Sequence, residues 1–350
     1  TEEAIAAQRK ALALFEELLA EQPNSTELLR RASAVQNNLA LALQRTGLTL
    51  ESQQAFEKAI SRQQQLVSLS PADAALQQDL ALSYNNLGLL LAETGNTDAA
   101  EASFDKAIAI QKQVIEKEPG NADSLRMLAA AYNNLAALSK YQQDSAKLAL
   151  YEQASQYLLR ASLSRPHESQ LKSDLALAFN NLGSTQSRMG ALDVAIHSFE
   201  RAIEIQELLV QVAPLQRTYR RDLAVSFNNL GLAQSKLKRP SDSEQSFAKA
   251  LALQEVLVAK NPQDAELASS LGGIFNNRGI VLEELSRPRD AAECYRKAIE
   301  HQKLALSQAK GIERYRTFLA KHYYNYGRTL RKLGHGEEAA AAALERSRLE

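Results

Sequence analysis

The residues in this sequence whose type and spacing best suit chemistry are asparagines. They come as adjacent pairs, Asn37 with Asn38, Asn85 with Asn86, Asn133 with Asn134, Asn180 with Asn181, Asn228 with Asn229 and Asn276 with Asn277, followed by a lone Asn325. The second members are separated by 48, 48, 47, 48, 48 and 48 residues. A carboxamide offers two donors and an acceptor. A regular row of them could therefore hold an extended peptide, which presents one backbone donor and one acceptor per residue. The same amides could instead bond to one another between repeats and fix their register. Both uses stay open, and one of them must offset the roughly 0.5 kcal/mol that each asparagine costs inside a helix.

Little else in the chain is arranged for catalysis or metal binding. The five histidines, His167, His197, His301, His322 and His335, share no column and form no triad or metal-ligand spacing. Cys294 is the single cysteine, so there is no internal disulfide. Asp79, Asp174 and Asp222 share a column that reads as capping or ion pairing. The expectation is a protein that is not an enzyme and has no catalytic residue, metal or cofactor.

The 41 basic and 41 acidic residues cancel, leaving no field to collect nucleic acid or an anionic membrane. Helical repeats that read RNA also place asparagine on an inner helix, but they need variation between repeats and positive charge. No apolar run reaches membrane-spanning length and no signal-peptide pattern opens the chain, so a soluble, cytoplasmic protein is expected. The sequence opens on Thr1 part-way through a repeat, as would a piece of a longer polypeptide fused to a signalling or catalytic domain.

The elements that position the asparagines follow from proline and apolar spacing. Prolines 23, 71, 119, 166, 214 and 262 form one column and 240 and 288 another, and both mark loops. Between them lie apolar residues at helical spacing, such as Leu76, Leu80, Tyr84, Leu87 and Leu91. The spacing predicts first helices at about 26–46, 73–94, 121–142, 168–189, 216–237, 264–285 and 312–333. Second helices follow at about 49–69, 97–117, 144–164, 192–212, 240–260, 288–308 and 336–349, after an unpaired helix at about 2–21. The one-residue deletion is expected in the loop near "KYQQDSA".

The fold class is thus all-α, a right-handed α-solenoid of about fifteen long helices stacked as antiparallel pairs. The whole chain, 1–350, reads as one array. Residues 1–22 form a capping helix, and the repeats run at about 23–70, 71–118, 119–165, 166–213, 214–261, 262–309 and 310–350. Asn85 and Asn86 fall away from the face that packs on the second helix and share the far side with Gln78, Leu82 and Leu89. The glycines 88, 183, 231, 279 and 327 read as sites of close helix approach. Glutamines 63, 111, 206, 254 and 302 read as bonds between repeats.

The inner columns change at the last repeat. Ala34, Leu82, Ala130, Leu177, Val225 and Gly273 give way to Lys321. Leu41, Leu89, Ala137, Ser184, Leu232 and Ile280 give way to Arg328. Lys321, Tyr324, Arg328 and Arg331 share one helix face beside Asn325. They could clamp an anion, or serve as the polar end of a cap.

The columns Tyr84, Leu87, Gly88, Leu91, Ala100, Phe104 and Pro119 match the tetratricopeptide signature. The period exceeds the ordinary one of about 34 residues by about 14, or about two turns per helix. The segment "YNNLGLLLAETGNTDAAEASFDKAIAIQKQVI" resembles the repeats of kinesin light chains. The 48-residue period with "DLAxSxNNLG" resembles repeat regions attached to bacterial, especially planctomycete, serine/threonine kinases. Gln8 and Ala343 depart from the aromatic column of the second helices. The resemblance implies a scaffold for a protein or peptide partner, with the asparagine before the Leu-Gly position touching the bound chain: Asn38, Asn86, Asn134, Asn181, Asn229, Asn277 and Asn325. It also implies a carboxylate clamp at the C-terminal end. The alternative is an architectural spacer or oligomerisation stalk with no dedicated ligand.

Overall fold

The computed structural model describes residues 2–138 and 144–349, and all regular structure among them is helical. Two compact units are present, Thr1–Leu171 and Lys172–Glu350. The first holds α1 (Glu2–Glu21), α2 (Thr26–Arg45), α3 (Thr49–Leu69), α4 (Ala74–Glu93), α5 (Thr97–Lys117), α6 (Ala122–Ala137) and α7 (Asp144–Ser164). The second takes α8 (Ser169–Arg188) from its first turn onward, then α9 (Leu192–Val212), α10 (Arg217–Lys236), α11 (Pro240–Lys260), α12 (Ala265–Glu284), α13 (Pro288–Gln308), α14 (Glu313–Lys332) and α15 (Gly336–Ser347). Helix ends fall within a residue or two of the expected ones, except that α6 stops at Ala137 and not near 142. The expected deletion near "KYQQDSA" falls on residues 139–143, outside the described residues.

Local chemistry sets the boundaries. Ser25, Asp73, Asn121 and Asp264 accept backbone N–H groups at the starts of α2, α4, α6 and α12. Pro240 and Pro288 open α11 and α13, where a missing N–H costs nothing. The turn from a first to a second helix needs one residue at positive φ: Gly47, Gly95, Gly190 and Gly334 supply it at φ 77° to 83°, while Lys238 and Ser286 stand there at φ 60°.

Inside a repeat, the first helix lies against a fully buried ring of the second. A Cβ placed on Gly88 would sit 2.6 Å from the ring of Phe104, one on Gly231 2.9 Å from Phe247, and one on Gly279 2.7 Å from Tyr295. The helix glycines therefore let two backbones approach, at a cost of about 1 kcal/mol each in helix propensity. The other face of the pair carries an aromatic on the first helix, covered by a cation from the second. Lys106 lies over Tyr84, Arg201 over Phe179, Lys249 over Phe227 and Lys297 over Phe275, at 5.1, 4.1, 5.0 and 5.4 Å from the ring centres.

Between repeats, buried glutamines reach the next first helix. Gln254 Nε2 donates to the Leu267 carbonyl at 3.0 Å and Gln302 Nε2 to the Tyr315 carbonyl at 3.2 Å. Gln111 Nε2 lies 3.1 Å from Met127 Sδ. At the start of the chain, Ile5 and Leu12 are the buried residues of α1, which lies on α2. Ion pairs from Arg9 to Glu51 and from Arg62 to Glu16 tie α1 to α3.

Lys238 occupies a backbone conformation that costs a side-chain-bearing residue about 1–2 kcal/mol. Its 3.9 Å approach to Glu284 is exposed and offsets little of this. Lys238→Gly is expected to raise stability by about 1 kcal/mol. The urea midpoint reads the gain, and an unchanged or lower midpoint shows that the turn is not strained.

Candidate functional site: an amide seam and the pocket at its C-terminal end

The paired asparagines lie where neighbouring first helices meet. In the N-terminal unit, Asn134 Nδ2 donates to Asn85 Oδ1 at 2.9 Å, and Asn37 Nδ2 donates to Ser83 Oγ at 2.7 Å. In the C-terminal unit, Asn229 Nδ2 donates to Asn180 Oδ1 at 3.1 Å, Asn277 to Asn228 at 3.1 Å and Asn325 to Asn276 at 2.9 Å. Asn180 Nδ2 passes a further bond to Ser226 Oγ at 2.9 Å. Each of the four bonds between asparagines joins the second asparagine of one repeat to the first asparagine of the repeat before it.

Of the two uses the sequence left open, mutual bonding is therefore present in both units. It leaves few of the amides facing water. Asn180, Asn276 and Asn325 are buried, while Asn37, Asn85, Asn86, Asn133, Asn134, Asn181, Asn228, Asn229 and Asn277 are half-buried and Asn38 is exposed. What faces solvent on the first helices is the neighbouring column: Leu82 is 43% exposed, Leu177 53% and Val225 42%. Leu89 and Leu232, one column over, are each 37% exposed.

The seam opens into a pocket in the C-terminal unit, bounded by α10, α12 and α14, with a volume of about 390 Å³. Asn228, Asn276 and Asn277 form one side of it, with Val225, Ile274 and Phe318 as apolar wall. Arg314, Lys321 and Glu266 stand among the lining residues. His322 lines it as well, only 3% exposed, and neither ring nitrogen has a hydrogen-bond partner. Burial, then the neighbouring Lys321 charge, pulls its pKa down to about 4. The sequence grouped His322 with four unrelated histidines, and nothing in its spacing set it apart.

The four residues expected to clamp an anion are not brought together as one site. Arg328 Nη2 lies 2.5 Å from Glu283 on α12, whose side chain is only 10% exposed. Lys332 is 3.7 Å from the same carboxylate, and Thr329 Oγ1 also bonds to it. A carboxylate this far from water requires a cation, and Arg328 is committed to that task. Lys321 and Tyr324 are exposed beside a second recess, with the Arg346 guanidinium 5.0 Å from the Tyr324 ring centre. Arg331 is exposed as well.

Elsewhere, burial raises the carboxyls of Asp79 and Asp222 and the thiol of Cys294. Among the described residues no three His, Cys, Asp or Glu side chains gather as metal ligands, and no helix is long and apolar enough to cross a membrane.

Stacked helix pairs with glycine-to-ring contacts and a repeated amide seam define a helical-repeat solenoid, the architecture of protein-interaction scaffolds. Family models described as "Tetratricopeptide repeat" match residues 80–119, and 33–66 with 176–207. Residues 33–66, 80–119 and 176–207 thus carry tetratricopeptide repeats. Among solved structures, BtubC (BKLC) from P. vanneervenii is 18% identical, with a TM-score of 0.54 over 71% of this chain and 89% of its own. A signal transduction ATPase with numerous domains, carrying a tetratricopeptide repeat sensor, from Pyrococcus horikoshii is 12% identical, with a TM-score of 0.61. That match covers 97% of this chain but 46% of the ATPase. At such identities the likeness is one of fold. No curated protein matches the sequence.

Two outcomes follow from the seam. A double-mutant cycle on Asn228→Ala and Asn277→Ala is expected to show a coupling of about 1 kcal/mol in unfolding free energy. Additive losses show that the 3.1 Å bond contributes nothing. His322, neutral in the fold, titrates below its unfolded value of about 6.5, so protonation favours the unfolded chain. Its contribution is present above pH 6.5 and is lost as pH falls toward 4, by about 3 kcal/mol. The difference in stability between the parent and His322→Gln, measured across that window, should change by this order. A constant difference shows that His322 does not titrate there.

Proposed function

We propose that this chain is an interaction scaffold that holds an extended segment of a partner protein along the exposed faces of its first helices. One observation carries this reading: apolar side chains at Leu82, Leu89, Leu177, Val225 and Leu232 face water beside hydrogen-bonding amides. Covering such side chains returns about 25 cal/mol per Å². The half-buried and exposed amides retain N–H and C=O capacity beyond their mutual bonds, so Asn38, Asn86, Asn134, Asn181, Asn229 and Asn277 can position a backbone while the apolar column takes side chains; Asn325, buried against Asn276, keeps to the seam. On this reading residues 1–350 work as one array, and an acidic part of the partner docks at Lys321, with Tyr324 beside it. Arg328 is withdrawn from that role by Glu283. The absence of net charge supports a protein partner over a nucleic acid. A purely architectural spacer is favoured by a different observation, the amides bonding to each other.

A mixed pool of nonapeptides passed over the immobilised chain separates the two. Leu82→Glu combined with Val225→Glu should lower retention at least tenfold, whereas Leu163→Glu, on the exposed side of α7, should leave it unchanged. Loss of retention on adding salt should shrink in Lys321→Ala. Equal retention by all variants, or none by the parent, favours the spacer.

A further inference from the structure

Gly273 breaks the column that elsewhere carries Ala34, Leu82, Ala130, Leu177 and Val225. Glycine disfavours a helix interior, and this one has no packing reason, because a Cβ added there meets nothing within 4 Å. Its missing side chain is part of what leaves about 390 Å³ open. The neighbouring column changes as well. On α4 and α10 it carries Asp79 and Asp222, whereas at the recess it carries Ser270 and Phe318. With Val225 and Ile274 they form a wall without charge, which suits an apolar side chain.

Charge of both signs stands around this wall. Arg314 is turned onto Tyr315, its guanidinium 5.3 Å from the ring centre. Glu266 and Lys321 are exposed, and among the described residues neither has an ion pair, a side-chain hydrogen bond or a ring contact. They stand too far apart to pair with each other. Lys321 shares the column of Gly273, seven residues on from that of Glu266. That places the two about 10 Å apart along the first helices and roughly 10 Å apart across them, or roughly 14 Å in all. In an extended chain the side chains at i, i+2 and i+4 share one face and span about 13 Å. One such segment therefore reaches both charges and passes over Gly273.

We propose that this recess holds a partner segment of the pattern basic-x-apolar-x-acidic, in either chain direction, with its basic group on Glu266, its apolar side chain over Gly273 and its acidic group on Lys321. The proposal rests on the scaffold reading, because it needs an extended segment held along the first helices. It adds which residues that segment carries.

The test is fluorescence anisotropy of the full chain with three labelled nonapeptides built of serine and glycine around a centre of Lys-Ser-Leu-Ser-Glu, Lys-Ser-Leu-Ser-Lys or Glu-Ser-Leu-Ser-Glu. The parent is expected to bind the peptide of mixed charge about fivefold more tightly than either of the others. Glu266→Lys should turn the preference to the doubly acidic peptide, and Lys321→Glu should turn it to the doubly basic one. Both substitutions are at exposed positions, so the melting temperature should not change. Alanine in place of the central leucine should weaken the mixed peptide about fivefold on the parent. It should make no difference on Gly273→Leu, where the recess is filled. The proposal is overturned if the parent binds the three peptides equally or the doubly acidic one most tightly, if neither charge reversal moves the ranking, or if alanine replaces leucine without loss. Retention of the mixed nonapeptide pool without these preferences removes the residue pattern and leaves the scaffold reading standing, whereas no retention removes both.

Discussion

Four of the repeats rest on a ring pressed against bare backbone. Phe104 under Gly88, Phe247 under Gly231 and Tyr295 under Gly279 set the distance between the two helices of a pair. Once that distance is fixed, the remaining columns have little freedom. The aromatic of the first helix must lie under the cation of the second, and the buried glutamine must meet the next first helix. A larger residue on either side of the contact would have to push apart two helices of about twenty residues. That is why the small column contains only glycine and alanine.

Much of this was legible in the sequence because it repeats. Two proline columns and a 48-residue period placed helix ends to within a residue or two, and the glycine column announced its close approach. The residues that escaped notice are those whose meaning lies on another helix. Arg328 looked free on a wheel of α14, but Glu283 sits 45 residues earlier on α12 and appears only when the two helices are side by side. The positive-φ column was obscured because Lys238 and Ser286 interrupt its glycines. His322 and Gly273 were visible as letters, yet a cavity comes from what neighbouring side chains fail to fill, and no spacing encodes that.

The asparagines show how one residue type can serve two ends. Their mutual bonds use one donor and one acceptor per contact, which fixes adjacent first helices in register and explains why a poor helix former is kept at the seam. The surface beside them is free to vary, and it does: leucine, valine and alanine in most repeats, glycine at 273 and lysine at 321. Structure is carried by the constant column, while the variable one differs from repeat to repeat.

The asparagine bonds also constrain how such a chain can change its length. Each bond links residues 49 apart, so it survives the insertion or loss of a complete unit and is broken by most other changes inside the helices. Gene duplication in whole units would give arrays of different reach with every seam intact, while small insertions would be confined to the turns. Evolution of this protein would thus proceed in steps of one repeat.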